Sequence, residues 1–390
     1  MHDVHHTVTL DTFDLATHTM GDSLYAYIIP KIHQEIKRRP WSRILVRGRY
    51  DRSPSAIPAV TEKRDKPFNF HRPTATVDGD GETLMLNCFP GRDYVRHYAA
   101  LVAIYLVLTK SDPSVVHYVL PTEEDLMQML MQSNLKEMGK PDCVIVGYVH
   151  HLLHRHPTTV PPSQWDGIHT SGIFAWHKKR SETSEIAMLG VLPSFWGDIS
   201  AGLVKALQTL NNVKCILYVG KGGTLDPTVS PNEFLATGNT SNIICLQQET
   251  LAPLPVGNGV PRPLAEQSAL ETLTVEWNNV LAGDIHDVSK VLKGGHINIY
   301  SPLVEDGRWL DRWGTSGRWV DCEVGYMAKA CLEGNTEFGY IHVVSDNIRQ
   351  SYRYDLSNEE MTEVKILRSK LFHTVDEILE AFLARWIPPP

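Results

Sequence analysis

The chain has no run approaching the roughly 18 to 20 consecutive apolar residues that a bilayer span requires, so no membrane segment is expected. Its cysteines are few: six, at positions 88, 143, 215, 245, 322 and 331, with no CxxC pair and no zinc-type spacing. That scatter excludes a disulfide framework and suits reduced thiols in the cytosol. The opening "MHDVHHTVTLDTFDL" has no basic segment followed by an apolar stretch, so no secretory leader is read and a cytoplasmic location is expected. Positive charge is not in excess either. A net charge of -8 argues against a protein that binds nucleic acid through its overall field. Repeats and low-complexity tracts are missing, which excludes solenoids and disordered arrays.

What is present is a globular composition, 42% hydrophobic and 21% charged, over 390 residues. Residues 51–82 and 156–167 are rich in Pro, Asp and Gly and break the chain. Between them "RDYVRHYAALVAIYLVL" is apolar around most of its girth and predicts a buried helix. Residues 1–140 form an accessory α+β region whose fold the pattern does not assign. From 141 to 390 the rhythm is α/β. "DCVIVGYV" reads as a strand, "GIFAWHKK" and "EIAMLGVL" as a hairpin about "RSETS", and "ISAGLVKALQTL" as a helix capped by Asp198. "VKCILYVG" follows as a buried strand and "KGGTLDP" as a glycine turn. Strand, crossover helix and strand in this order predict a mixed, largely parallel sheet flanked by helices. The segment from Asn358 to Trp386 predicts one or two amphipathic helices, the second opened by a box from Thr374 to Glu377.

Four stretches carry chemistry. "YVGKGGTLDP" presents Gly220, Gly222 and Gly223 beside Lys221, a backbone able to approach an anion, although it matches neither GxxxxGK[ST] nor GxGxxG. "WVDCEVGYMAKACLEG" places Glu323 where an extended piece meets a helix whose Met327, Ala328, Cys331 and Leu332 face inward; its two oxygens suit a vicinal diol, or simply the helix dipole. "YIHVVSDNIRQ" is an apolar strand that runs into Asp346, readable as a cap or turn or as an acid delivered to a dry site. "YVHHLLHRHP" gathers His150, His151, His154 and His156, but without a partner carboxylate no metal site is expected.

Taken together, "VDCEVGYMAKACLEGNTEFGYIHVVSDNIR", the upstream "IYSPLVEDGRWLDRWG" and "ILYVGKGGTLDPTVSPNEFLATGNTS" resemble the purine nucleoside phosphorylase and nucleosidase superfamily, in particular its hexameric bacterial members. The resemblance covers roughly residues 170 to 385, preceded by a divergent N-terminal extension. It implies a phosphorylase-type sheet and cleavage of the N-glycosidic bond of a purine nucleoside or nucleotide. In that reading Asp346 is the general acid to the base and Glu323 holds the ribose hydroxyls. Cys322 would lie beneath the sugar, Tyr300 and Ser301 near the base, and Ser345 beside the acid. Gly220, Lys221, Gly222, Gly223 and Thr224 would line the phosphate or the attacking water. No cofactor is implied beyond phosphate as a possible co-substrate, and a homo-oligomer is expected.

The departures from that family bear on the nucleophile. Its phosphate-binding Arg and Ser positions hold Tyr218 and Lys221, and its other Arg position falls on Tyr25 in "GDSLYAYII". Lys does not reproduce the planar fork with which Arg clamps phosphate, so water stands beside phosphate as the nucleophile. The basic stretch 31–52 supplies arginines that are candidate replacements. The alternative is a catalytically silent nucleoside-binding or sensor module on the same fold.

Overall fold

The computed structural model describes residues 5–8, 13–60, 62, 68–155, 161–167, 172–180, 184–245, 271–285, 288–352, 356–359 and 361–386. Two mixed sheets account for its strands. The first is built from β1 (His6–Thr7), β2 (Arg43–Arg47), β3 (Thr74–Val77), β4 (Thr83–Asn87) and β5 (Val116–Val119), in the order β1-β5-β2-β4-β3. This gives the N-terminal region, unassigned from the sequence, a five-stranded sheet. The helix Arg92–Leu108 covers it, and twelve of its residues are buried, as its all-round apolarity predicts.

The second sheet contains β6 (Cys143–Gly147), β7 (Phe174–Arg180), β8 (Glu185–Val191), β9 (Cys215–Thr224), β10 (Leu235–Thr237), β11 (Thr240–Cys245), β12 (Glu271–Glu276), β13 (Val291–Lys293), β14 (His296–Asn298), β15 (Trp319–Asp321) and β16 (Glu337–Asn347). Its main path runs β12-β11-β14-β15-β9-β16-β10-β13, and β6, β8 and β7 extend from β9. The expected strand 143–147 and the β7/β8 hairpin are both present. The helices Asp198–Ala206 and Val324–Glu333 pack on one face with Ile216, Val144 and Tyr340, while the helix Thr362–Trp386 covers the other with Leu371, Val375 and Phe382 against Ile145, Leu217 and Ile341. Both faces are therefore buried, as parallel pairing requires.

One strand organises the site. β9 pairs in parallel with β16 along its whole length, while its other edge changes partner: β6 from Cys215 to Val219, then β15 at Gly223 and Thr224. Where β6 and β15 part, the sheet opens. Such a fork beyond a strand end is where open α/β sheets hold ligands. Gly147 ends β6 at φ +104, and a Cβ there would stand 2.1 Å from the Val219 carbonyl, so only glycine allows the turn away from β9.

Three local expectations are corrected, and the C-terminal alternative resolves to one helix without the Thr374 box. "KGGT" is not a turn but the second half of β9. Asp198 does not cap its own helix, whose N-cap is Gly197; its carboxylate accepts the backbone N–H groups of Arg92 (2.9 Å) and Asp93 (3.3 Å) and so caps the neighbouring helix. Leu332 is 52% exposed, because Met327, Ala328 and Cys331 already fill the inward stripe and it lies one residue past it. The C-terminal segment is one unbroken helix, Thr362–Trp386. No Gly or Pro interrupts it, and the stripe Val364, Leu371, Val375, Leu379, Phe382 passes through Thr374 without a break.

Candidate active site

A cavity of about 260 Å³ occupies the fork. That is just under the roughly 300–1,000 Å³ usual for small-molecule pockets, so its occupant is small. The ends of four strands line it: Gly147 and Tyr148 after β6, Tyr218, Lys221, Gly222 and Gly223 from β9, Val320 to Glu323 around the end of β15, and Ser345 and Asp346 from β16. Glu323 and Asp346 thus share one chamber. Tyr27, Lys31, Phe68 and Asn69 reach it from the N-terminal region, and Phe195 and Trp196 close it with further aromatic surface.

Asp346 is delivered by an irregularity. Pairing along β16 steps from Val344 opposite Gly222 to Asp346 opposite Gly223, so Ser345 is the extra residue of a bulge and re-aims the carboxyl. The Ser345 hydroxyl donates to Asp346 Oδ1 at 2.7 Å. Burial raises the Asp346 pKa to about 6 against the pull of Ser345 and Lys221. The turn role that Asp346 shares with its neighbours in the sequence falls to Asn347. Its Nδ2 donates to the carbonyls of Asp226 and Val229, and its Oδ1 accepts from the N–H groups of Arg349 and Gln350.

Glu323 occupies the N-cap position of the helix Val324–Glu333 yet makes no capping bond. Asp321 takes that task, its Oδ2 accepting from Val324 N at 3.0 Å, which leaves the Glu323 carboxyl free to face the cavity. Burial, then the nearby Asp321, pushes the Glu323 pKa well up. Tyr218 Oη lies 3.5 Å from Glu323 Oε2. Tyr218 therefore turns its hydroxyl toward the Glu323 carboxyl.

The remaining predicted residues divide. Cys322, Ser345, Lys221, Gly222 and Gly223 line the cavity with the two acids. Gly220, Thr224, Tyr300 and Ser301 are not among the lining residues. Thr224 is buried and bonds to the Arg318 carbonyl. Ser301 is buried against His97 Nδ1 at 2.8 Å and caps the short helix Pro302–Val304, while the Tyr300 carbonyl accepts from Trp196 Nε1. Lys221 forms an ion pair with Glu359 and lies 5.6 Å from the Tyr148 ring centroid, so its charge is compensated from within. Tyr25 is 45% exposed, whereas Tyr27, two residues on, reaches the cavity. From the basic stretch only Lys31 lines it; Arg38 and Arg52 pair with Glu35 and Glu62, and Arg47 bonds Asn87. His150 also lines it, the His154 side chain and His156 lying outside the described residues.

Sequence reasoning missed Glu305 and Glu359. Glu305 is buried at the end of a short helix, and burial and the Asp346 charge hold its carboxyl well above the usual range. The lining thus carries Glu305, Asp321, Glu323, Asp346 and Glu359 against Lys31 and Lys221, with no arginine among the described residues. Acids in a segment already aligned as "YSPLVED" were the available signal for Glu305. Nothing marked Glu359, which meets Lys221 only through the fold.

The fold and cavity define a mixed α/β protein with an acid-rich small-molecule site at a sheet fork. No protein-family profile matches the chain. Over 191 residues it is 26% identical to an oxidoreductase, cns1, of the fungus Cordyceps militaris, a stretch covering 45% of this chain and 23% of that protein, so the chain spans about a quarter of this curated relative's length. Among solved structures, the Helicobacter pylori 5'-methylthioadenosine/S-adenosylhomocysteine nucleosidase superposes with a TM-score of 0.43 at 14% identity, covering 63% of this chain and 99% of that one. Helicobacter pylori futalosine hydrolase gives 0.43 at 14%, covering 64% and 99%. A Colwellia psychrerythraea nucleosidase in complex with adenine gives 0.40 at 15%, covering 62% and 95%. Similarity of this degree assigns no chemistry to the chain.

Proposed function

We propose that the chain is an enzyme that cleaves the N-glycosidic bond of a purine nucleoside, with water as the nucleophile. The supporting observation is the convergence of Glu323 and Asp346, from two elements, on one cavity that also bears aromatic walls. Phe195 and Trp196 offer faces for a purine, in keeping with the stacking that aromatic side chains give to bases.

In this reading the C1'–N bond breaks with its electron pair leaving on the base, which takes the proton of Asp346. The sugar passes through a cation-like state, and the water oxygen bonds to C1' as its proton passes to solvent, from which the Asp346 carboxylate is reprotonated for the next turnover. General-acid help of this kind is worth about 10²- to 10⁴-fold. The raised pKa of Asp346, about 6, leaves the acid form on about a tenth of molecules at pH 7, against about one in a thousand for an ordinary Asp. Glu323 would accept the two ribose hydroxyls, whose O–H groups favour its ionised form. Carboxyl groups outnumbering lysines favour a developing positive charge on the sugar and disfavour phosphate or a 5'-phosphorylated substrate. The ion pair of Lys221 with Glu359 acts in the same direction.

Release of free base from adenosine and inosine, measured with and without phosphate, tests the reading. Equal rates support hydrolysis; a requirement for phosphate overturns the choice of water. Binding without turnover, unchanged in Asp346→Asn, would replace the enzyme with a nucleoside-binding module.

A further inference from the structure

Asp321, in the cavity wall, also belongs to a second cluster that the nucleosidase chemistry does not use. His296 opens β14, Asp321 ends β15 and His342 sits in the middle of β16. Each offers one ligand atom, and these atoms lie within 4.8 Å of one another. Both imidazoles are 0% exposed, and His296 Nε2, His342 Nδ1 and His342 Nε2 have no hydrogen-bond partner. A buried, unsatisfied nitrogen normally costs about 1–3 kcal/mol, and here each imidazole has at least one, with His342 Nδ1 4.0 Å from Asp321 Oδ2.

We propose that His296, Asp321 and His342 bind a divalent transition-metal ion, zinc being the best fit to two neutral imidazoles and a carboxylate. Ligand atoms about 2.1 Å from one tetrahedral zinc ion stand about 3.4 Å apart, so these atoms, within 4.8 Å of one another, draw together by up to about 1.4 Å to close on the ion. The surrounding residues have the form that metal sites use. Tyr340 Oη bonds His296 Nδ1 at 2.8 Å, fixing the ring and leaving Nε2 for the ion, and Asn298 Nδ2 holds Asp321 Oδ1 at 2.8 Å. Three protein ligands leave the fourth tetrahedral position to water.

The glycines of β9 make this cluster possible. β9 runs between β15 and β16, so side chains on it would separate Asp321 from His342. A Cβ on Gly220 would stand 2.5 Å from His342 Nε2, and one on Gly222 would stand 3.2 Å from His342 Nδ1 and 3.9 Å from the Asp321 Cβ. The segment that resembles a phosphate turn is thus a gap through which a histidine and a carboxylate on opposite sides of a strand approach to 4.0 Å. Because Asp321 also caps the helix behind Glu323, the ion would anchor the wall that carries Glu323.

The experiment reads metal rather than activity, so it stands or falls apart from the nucleosidase reading. The full-length chain, expressed in zinc-supplemented medium and desalted, is analysed for metal. The chelator-stripped chain is then titrated with Zn²⁺ for its melting temperature and with Co²⁺ for visible absorption. About one equivalent per chain, a rise of roughly 5 °C or more, and cobalt bands of tetrahedral intensity are expected. His342→Gln and Asp321→Asn, both close in volume, should abolish all three while circular dichroism confirms folding. A stripped chain whose melting and absorption ignore both ions overturns the proposal, as does metal retained at full stoichiometry in a folded His296→Gln/His342→Gln chain.

Discussion

At the scale of the residue, Asp346 illustrates how neighbours divide the work that a short motif leaves ambiguous. Ser345 forms the bulge and orients the carboxyl, Asn347 makes the turn, and burial raises the Asp346 pKa to about 6. With a pKa of about 6, kcat/KM for base release should be level below pH 6 and fall about tenfold per unit above it, since only the protonated acid donates. Asp346→Asn should lose roughly 10²- to 10⁴-fold in kcat and with it the alkaline limb of the pH profile. The same shift has a stability consequence. The folded-state pKa lies above the ordinary 3.8, so this group favours folding fully below pH 3.8, and that contribution is lost as pH rises through 6. Denaturant titrations should therefore find Asp346→Asn gaining on the native chain between pH 5 and 8, by roughly 1–2 kcal/mol.

At the scale of the element, β9 is the informative strand. Gly223 stands where a Cβ would come within 3.0 Å of Asp346 Oδ2 and of the Ile348 side chain, and Gly220 where it would meet His342 at 2.5 Å. Gly220→Ala should destabilise the fold by about 1–3 kcal/mol in urea titrations, because both the strand and the buried ring are fixed by packing. A neutral result would mean that the ring has room to move. The C-terminal helix offers the contrary case. Thr374 lies in its interior, so Thr374→Ala should change stability by less than about 0.5 kcal/mol, where loss of a true N-cap would cost about 1 kcal/mol.

At the scale of the whole molecule, residues before 120 build one sheet and residues after 142 the other, yet one apolar core joins Ile44, Leu86 and Val95 to Val144, Leu203 and Tyr218. The N-terminal region also supplies Tyr27 and Lys31 to the cavity wall. Tyr27→Ala should accordingly raise KM for the nucleoside by roughly tenfold with kcat little changed, the pattern for a residue that binds substrate and transition state alike. An unaltered KM would make its presence there purely architectural. Among the described residues no helix is long and apolar enough to cross a membrane.

How much of this was legible depends on the range of the interactions concerned. The buried helix at 92–108, the β7/β8 hairpin and the alternation of strand and helix after 141 follow from local periodicity, because each residue's preference for burial repeats at 3.6 or 2 positions. Glu323, Asp346 and their neighbours Cys322 and Ser345 stood out through a motif that spans two adjacent elements. Distant pairings left no such trace: Lys221 with Glu359, Ser301 with His97, Asp198 on the helix of Arg92, and Tyr27 at the cavity are set by which strands and helices become neighbours. Local pattern fixed most elements after residue 141, and the resemblance of a two-element motif singled out Glu323 and Asp346, because both rest on residues near one another in the chain. That β6 and β15 part along β9 and leave a chamber emerges only in the folded chain, since strand order is chosen by the packing of both sheet faces at once.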